Sequence, residues 1–362
     1  MGILFASLAV LIYEQLGSFS AMINSQIVGF LFAGVAFLCA RHFTDPRGWP
    51  AAGFGGLVIL TLFGVDAYMS SPGSRIGSFV GYPITYGALL VGLLPIALLF
   101  ALRRSRVLAT VAGGTSATLM ILSQSRSSWV AVAVMMLIVV VLLVRRGKLR
   151  AIVFAVGATL LVIGIILSTG SLDKIVENRL SSKNASSDSV THRVWSYGYA
   201  TGQFSQRPLL GGGYPGYAAL QAADYTGIGA IDNGYLSISV DLGLIGLVAA
   251  LIPIMVALRA LARCLRLGVA PPIEVALTLG IIGMAVVTAF YDSFYWAQID
   301  LLFGAMGGAL SVRMHMIARP MQRDGVQSED AMRGLANSMT LKRAGVVPEH
   351  PIVVSHPAGT SG

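Results

Sequence analysis

The chain has 362 residues, of which 55% are hydrophobic and only 11% charged, with a formal net charge of +9 and a mean hydropathy of +0.76. A soluble domain carries about 25% charged residues, so water is not the main solvent of this protein. The net charge does not mark a nucleic-acid binder either, because the bases are distributed along the chain in a way that serves a different purpose.

Apolar runs near the ~20 residues needed to cross a bilayer recur along most of the sequence. Lipid offers the backbone no hydrogen bonds, so these runs are predicted to be helices. In chain order they fall at 2–16, 22–40, 51–69, 84–102, 107–123, 128–144, 151–168, 233–258, 273–291 and 298–315. The first lacks a small-residue cleavage site and reads as a helix, not as a removed signal peptide. The abundance of glycine, 42 residues, suits close helix packing in a membrane. Cys39 and Cys264 stand near helix ends, with neither disulfide nor metal-ligand spacing.

The connections alternate in charge. Arg41 and Arg47 share one loop, and Arg103, Arg104 and Arg106 the next on that side. Arg145, Arg146, Lys148 and Arg150 follow there, then Arg259, Arg263 and Arg266. With six bases of the tail, 18 of the 25 lysines and arginines lie on this side. Short basic loops stay in the cytoplasm, so both termini are expected there. The other side receives Arg75, Arg126 and the long segment 169–232, which holds five acids and five bases and has no inward bias. The expected organisation is N-terminal membrane helices over 1–168, a periplasmic loop over 169–232, further membrane helices over 233–318, and a disordered cytoplasmic tail over 319–362. No internal repeat is evident, which leans away from an inverted-repeat carrier.

The outer side concentrates the residues suited to chemistry. Ser74-Arg75-Ile76-Gly77-Ser78-Phe79 is followed by Tyr82-Pro83. Ser123-Gln124-Ser125-Arg126-Ser127-Ser128-Trp129 opens another span. The long loop contains His192-Arg193-Val194-Trp195, the turn Arg207-Pro208-Leu209-Leu210-Gly211, and Gly213. It ends at Asp232-Asn233-Gly234-Tyr235-Leu236, before Asp241-Leu242-Gly243-Leu244-Ile245-Gly246. Guanidinium groups match phosphate oxygens bidentately and keep their charge, and the aromatics beside them suit sugar rings.

These four pieces, spread over residues 70–250, resemble the O-antigen ligase and polymerase superfamily of bacterial inner-membrane enzymes. The resemblance implies an all-α, glycosyltransferase C-like fold with a periplasmic active site. It implies metal-independent, inverting transfer of a glycan from undecaprenyl diphosphate to a sugar hydroxyl, without a cofactor. On that reading Arg75, Arg126, Arg193 and Arg207 bind the diphosphate, and fixed arginines stabilise the charge that develops on it. Asp232, Arg193 and Arg126 are the expected catalytic residues, with His192, Asn233 and Asp241 as additional candidates. The expected partners are the lipid-linked oligosaccharide, the bilayer and a chain-length regulator.

The sequence departs from the ligase pattern at one position. Ligases of the superfamily commonly carry His immediately before the Asn of the fourth motif, where this chain has Asp232. That choice resembles the polymerases, including those of exopolysaccharide synthesis, and favours polymerase over ligase. A ligase acting on lipid A core or protein is the alternative within the superfamily, and a flippase for the same lipid-linked glycans lies outside it. Each residue also has a plainer role. Arg75 and Arg126 are placed to anchor at the membrane interface, Arg193 and His192 to be solvated, and Asp232 to cap the following helix. The Gly211-Gly212-Gly213 run is expected to shape a turn, and Asp241, an acid within an apolar run, to face a polar cavity or partner.

Overall fold

The computed structural model describes residues 26–43, 48–71, 75–76, 82–145, 147, 183–212, 231–267, 271–291, 296 and 298–314. The predicted spans 2–16 and 151–168 and the tail from 319 lie outside the described residues. So do loop residues 169–182 and 213–230. Among the described residues every regular element is a helix. In chain order these are α1 (Gln26–Phe43), α2 (Trp49–Ser70), α3 (Pro83–Arg104), α4 (Arg106–Ser123), α5 (Arg126–Arg145), α6 (Lys183–Gln206), α7 (Gly234–Leu267), α8 (Pro272–Thr288) and α9 over residues 298–314. They belong to the compact unit Met1–Arg313; of the second unit, Met314–Gly362, only Met314 is described.

Five helices, α2, α3, α4, α5 and α7, are long and apolar enough to cross a membrane, and α8 is a shorter apolar helix. The protein is therefore a polytopic helical membrane protein. Local signals set the boundaries. Proline stands in the first turn of α2, α3 and α8, where its missing N–H removes no bond. Ser105 ends α3 and caps α4, its Oγ accepting from Leu108 N at 3.0 Å. At the far end of α4, Gln124 takes φ 53°, and the chain turns at once into α5.

Helix α3 is the centre of the bundle. Over its most apolar window 61% of residues are buried, against 22–33% for the other four spans. It packs on α2, α4, α5 and α8. Tyr86 is fully buried and donates its hydroxyl to the Leu60 carbonyl of α2 at 2.8 Å. Where α3 crosses α8, a methyl on Gly280 would strike the Gly92 carbonyl, so both small residues allow close approach.

Helix directions give the bundle two unlike ends. Arg103 and Arg104 end α3, Arg145 ends α5 and Arg266 lies in the last turn of α7. At this arginine end Arg263 Nη2 pairs with Oε2 of the fully buried Glu274 at 2.6 Å, joining α7 to α8. The opposite end holds the start of α3, the turn between α4 and α5, the end of α8 and the start of α7. The start of α3, the turn between α4 and α5 and the start of α7 carry motif residues, so these share one end of the bundle.

The expected span 233–258 is not a straight helix. Tyr235 donates its hydroxyl to Ala285 O, while Arg263 pairs with Glu274. A straight helix would rise about 42 Å between Tyr235 and Arg263, yet their partners on α8 lie only about 16 Å apart along its axis. The excess is absorbed at Gly243, whose φ of 64° and ψ of −158° break α7 into two arms. The second arm, residues 244–267, crosses the membrane. The first, residues 234–242, lies across the motif end.

Candidate functional site

The N-terminus of α7 is fixed by Asn233. Its Oδ1 accepts from the backbone N–H of Tyr235 and of Leu236, both at 3.1 Å, so Asn233 is the cap. The capping role considered for Asp232 belongs to its neighbour. Asp232 is thereby released from the helix end, and its Oδ2 accepts from Arg193 Nε at 3.2 Å. The side chains are 47% (Arg193) and 28% (Asp232) exposed, so this pair remains within reach of solvent.

Arg193 does not sit in mid-loop, as the sequence suggested. It projects from α6, a 24-residue helix whose mixed composition hides it from a hydropathy reading. The signal that was available is local. Trp195 and Tyr199 stand four apart and stack with centroids 5.6 Å apart, a helical spacing. They pack with Ala200 of α6 against Ile231, Leu236 and Val240. Burial raises the pKa of the Tyr199 hydroxyl, which stays protonated at neutral pH. His192 lies on the same helix, but its side chain is outside the described residues.

The C-terminal end of α6 is held by a backbone clasp. The Arg207–Gly211 turn sits in the break of α7. Leu244 N donates to Pro208 O at 2.8 Å and Ile245 N to Leu209 O at 3.4 Å, while Gly212 N donates to Val240 O at 2.7 Å. These are the donors and the acceptor that a broken helix leaves without intrahelical partners. The turn supplies them, as a break at membrane depth requires. Gly211 (φ 71°) and Gly243 (φ 64°) face each other so closely that a methyl on either would collide with the other strand's backbone. Motifs separated by some thirty residues in sequence are therefore one structural unit. Asp241 is buried in the first arm and Arg207 is exposed where the turn begins.

The other two motifs reach the same end. Ile76 N donates to Leu122 O at 3.3 Å, which seats the first motif against the end of α4. Arg75 is exposed beside it. Arg126, also exposed, opens α5 directly above a buried serine cluster. Ser128 Oγ donates to Ser125 Oγ at 2.8 Å, Ser125 and Ser127 Oγ are 3.2 Å apart, and Ser123 Oγ donates to Met120 O at 2.8 Å. The serines pack on Gly87 of α3. Two residues earlier on α3, Thr85 Oγ1 lies 3.1 Å from the Tyr291 hydroxyl, and Tyr291 O accepts from Gly234 N at 3.1 Å. A continuous path of contacts thus links Arg126, through α3 and Tyr291, to Asp232 and Arg193. Sequence reasoning did not single out Thr85, and it noted the serines only as part of the second motif.

The described residues thus bring exposed Arg75, Arg126 and Arg193 and the partly exposed Asp232 carboxylate to one end of the bundle, and guanidinium groups are suited to anionic oxygens.

No curated protein matches the chain. Residues 111–251 match the family model described as O-antigen ligase, which takes in the second, third and fourth motifs. The protein is therefore a multi-pass helical membrane protein, and its residues 111–251 are similar to the O-antigen ligase family.

Proposed function

We propose that this protein is a polysaccharide polymerase that joins undecaprenyl-diphosphate-linked oligosaccharide repeat units at the periplasmic face of the inner membrane. The observation that carries the reading is the Arg193–Asp232 pair, 3.2 Å apart and partly exposed, at the end of the bundle that also presents Arg75 and Arg126. The arginine-rich opposite end fits the cytoplasmic side by the positive-inside rule.

The donor glycan's diphosphate is gripped by Arg126, with Arg75 near, and by Arg193 as it exchanges one oxyanion partner for another. A hydroxyl at the non-reducing end of a second lipid-linked glycan stands at the carboxylate of Asp232. Its oxygen forms the new bond to the anomeric carbon as the bond from that carbon to the diphosphate oxygen breaks. The electron pair leaves with the diphosphate, where the guanidinium groups meet the growing charge, and the hydroxyl proton passes to Asp232. Attack opposite the leaving group inverts the anomeric centre.

The description of the matched family favours a second reading, a ligase that moves the glycan to a lipid A core or a protein. Purified protein in nanodiscs with synthetic undecaprenyl-diphosphate repeat units as sole substrate separates the two. A ladder of multimers that disappears in Arg193→Ala is the polymerase result. Transfer only after a lipid A core or protein acceptor is added means a ligase. Full product from a folded Arg193→Ala protein would remove Arg193 from the chemistry.

A further inference from the structure

The Arg207–Gly211 turn has side chains that its clasp does not explain. Leu209 and Leu210 at its tip are 63% and 74% exposed, and Leu244 and Ile245, to which the turn is hydrogen-bonded, are 45% and 60% exposed. Four large aliphatic side chains exposed together are foreign to an aqueous loop.

Their depth follows from α7. From Gly243 to Arg263 the second arm rises about 30 Å, the thickness of a bilayer's hydrocarbon core. Arg263 is fixed at the arginine end by Glu274. Leu244 and Ile245 therefore occupy the outermost turn of the crossing arm, at the opposite boundary of the hydrocarbon. The bonds from Leu244 N to Pro208 O and from Ile245 N to Leu209 O bring the turn to that same depth. Arg207, exposed at the start of the turn, has a long apolar stem and a charge suited to lipid phosphates.

We propose that the Arg207–Gly211 turn is a membrane-seated anchor. Leu209 and Leu210 lie among the outer ends of the acyl chains in the leaflet at the motif end, and Arg207 stands at the level of the lipid phosphates. The bilayer thereby holds the C-terminal end of α6 down, while the middle of the helix stays in water over the first arm of α7. The occupant is phospholipid because the patch continues the lipid-facing surface of a crossing helix. It needs no assumption about the transferred glycan.

The test uses single cysteines in a background where Cys39→Ala and Cys264→Ala remove the native thiols. Leu209→Cys, Leu210→Cys and, as a control six residues before the turn, the exposed Thr201→Cys are labelled with an environment-sensitive fluorophore and reconstituted into phospholipid vesicles. Only proteins that elute as the unlabelled protein does are compared. Labels at 209 and 210 are expected to emit further to the blue than the label at 201. Insertion into the headgroup and acyl boundary should make quenching by lipids with a shallow acyl nitroxide at least about threefold stronger there. Equal lipid quenching at all three positions would overturn the proposal, as would equal quenching by aqueous iodide. Protection at 209 and 210 from both quenchers would also overturn it, because it would mean that protein covers the turn.

Discussion

Two ion pairs of the described structure, one at each end of the bundle, join the same kinds of residue and have opposite characters. At the arginine end Arg263 and Glu274 meet at 2.6 Å, with Glu274 fully buried and Arg263 only 22% exposed. At the motif end Arg193 and Asp232 meet at 3.2 Å with both side chains partly in solvent. An exposed pair contributes about 0.2–1 kcal/mol, too little to hold α6 in place. That work falls to the aromatic contacts around Ala200 and to the clasp. Where water is excluded, breaking a pair strands a charge and the pair acts as a fixed joint. Where water reaches it, the partners are free to exchange, which suits the anion-binding role proposed for Arg193.

The largest expected effect comes from breaking the buried joint. Glu274→Ala leaves Arg263 without its carboxylate and should cost about 3–5 kcal/mol of stability. Thermal unfolding in detergent should show a marked fall in Tm, while turnover per folded molecule is unchanged. If turnover fell in step with nothing lost in Tm, the two ends would not be separable in the way their geometry indicates.

The converse change sharpens the contrast. Arg193→Ala should leave Tm nearly unaltered and lower the transfer rate about 10²–10³-fold, the usual effect of removing one donor to a developing negative charge. Arg193→Lys keeps the charge but not the planar fork and should recover only part of the rate. Quantifying product against lipid-linked substrate for the three proteins checks this, and an unstable but fully active Arg193→Ala would invert the comparison.

A third change tests the unit that lies between stability and activity. Gly243→Ala forces a side chain into a φ/ψ region that is essentially glycine-only, at about 1–3 kcal/mol, and drives a methyl into the backbone of Leu209. Stability should fall by at least that amount, and transfer should fall with it because α6 loses its seat. The docking of α6 can be followed separately through the rate at which a cysteine pair placed at Ala200 and Val240, which pack together, forms a disulfide. That rate should drop in Gly243→Ala and be unaffected in Glu274→Ala.

The membrane helices were legible because their signal is compositional. The expected runs 51–69, 84–102 and 107–123 fall within two residues of α2, α3 and α4 at each boundary. The break at Gly243 was not legible, because a run of apolar residues reads the same whether it is straight or folded. The hint was the polar content of Ser237, Ser239 and Asp241 on the near side of Gly243 alone, all of them buried. Helix α6 was missed for a complementary reason. Its low hydropathy carries no membrane signal, and it is stabilised by one aromatic face against α7. At the site, arginines on the side opposite the basic loops were visible as an anomaly of charge. The pairing of Arg193 with Asp232 depends on two helices meeting, and neighbouring residues in sequence say nothing of that.

The smallest expected effect separates the two adjacent residues whose roles the sequence left ambiguous. Asn233 caps α7 through two backbone N–H groups, and Asp232 faces Arg193. Asn233→Ala should cost about 0.5–2 kcal/mol, the usual loss for a cap. Asn233→Asp should restore most of it, since Asp caps as well and its charge favours a helix N-terminus. If capping is all that Asn233 does, transfer measured on folded protein should be close to normal in both variants. Asp232→Asn gives the reverse pattern, with stability nearly unchanged and transfer lost, because an amide cannot take up the hydroxyl proton. Should Asn233→Ala abolish transfer while Asn233→Asp fails to rescue it at full stability, Asn233 would contact the substrate itself, and the division between a structural residue and a chemical one would shift by one position.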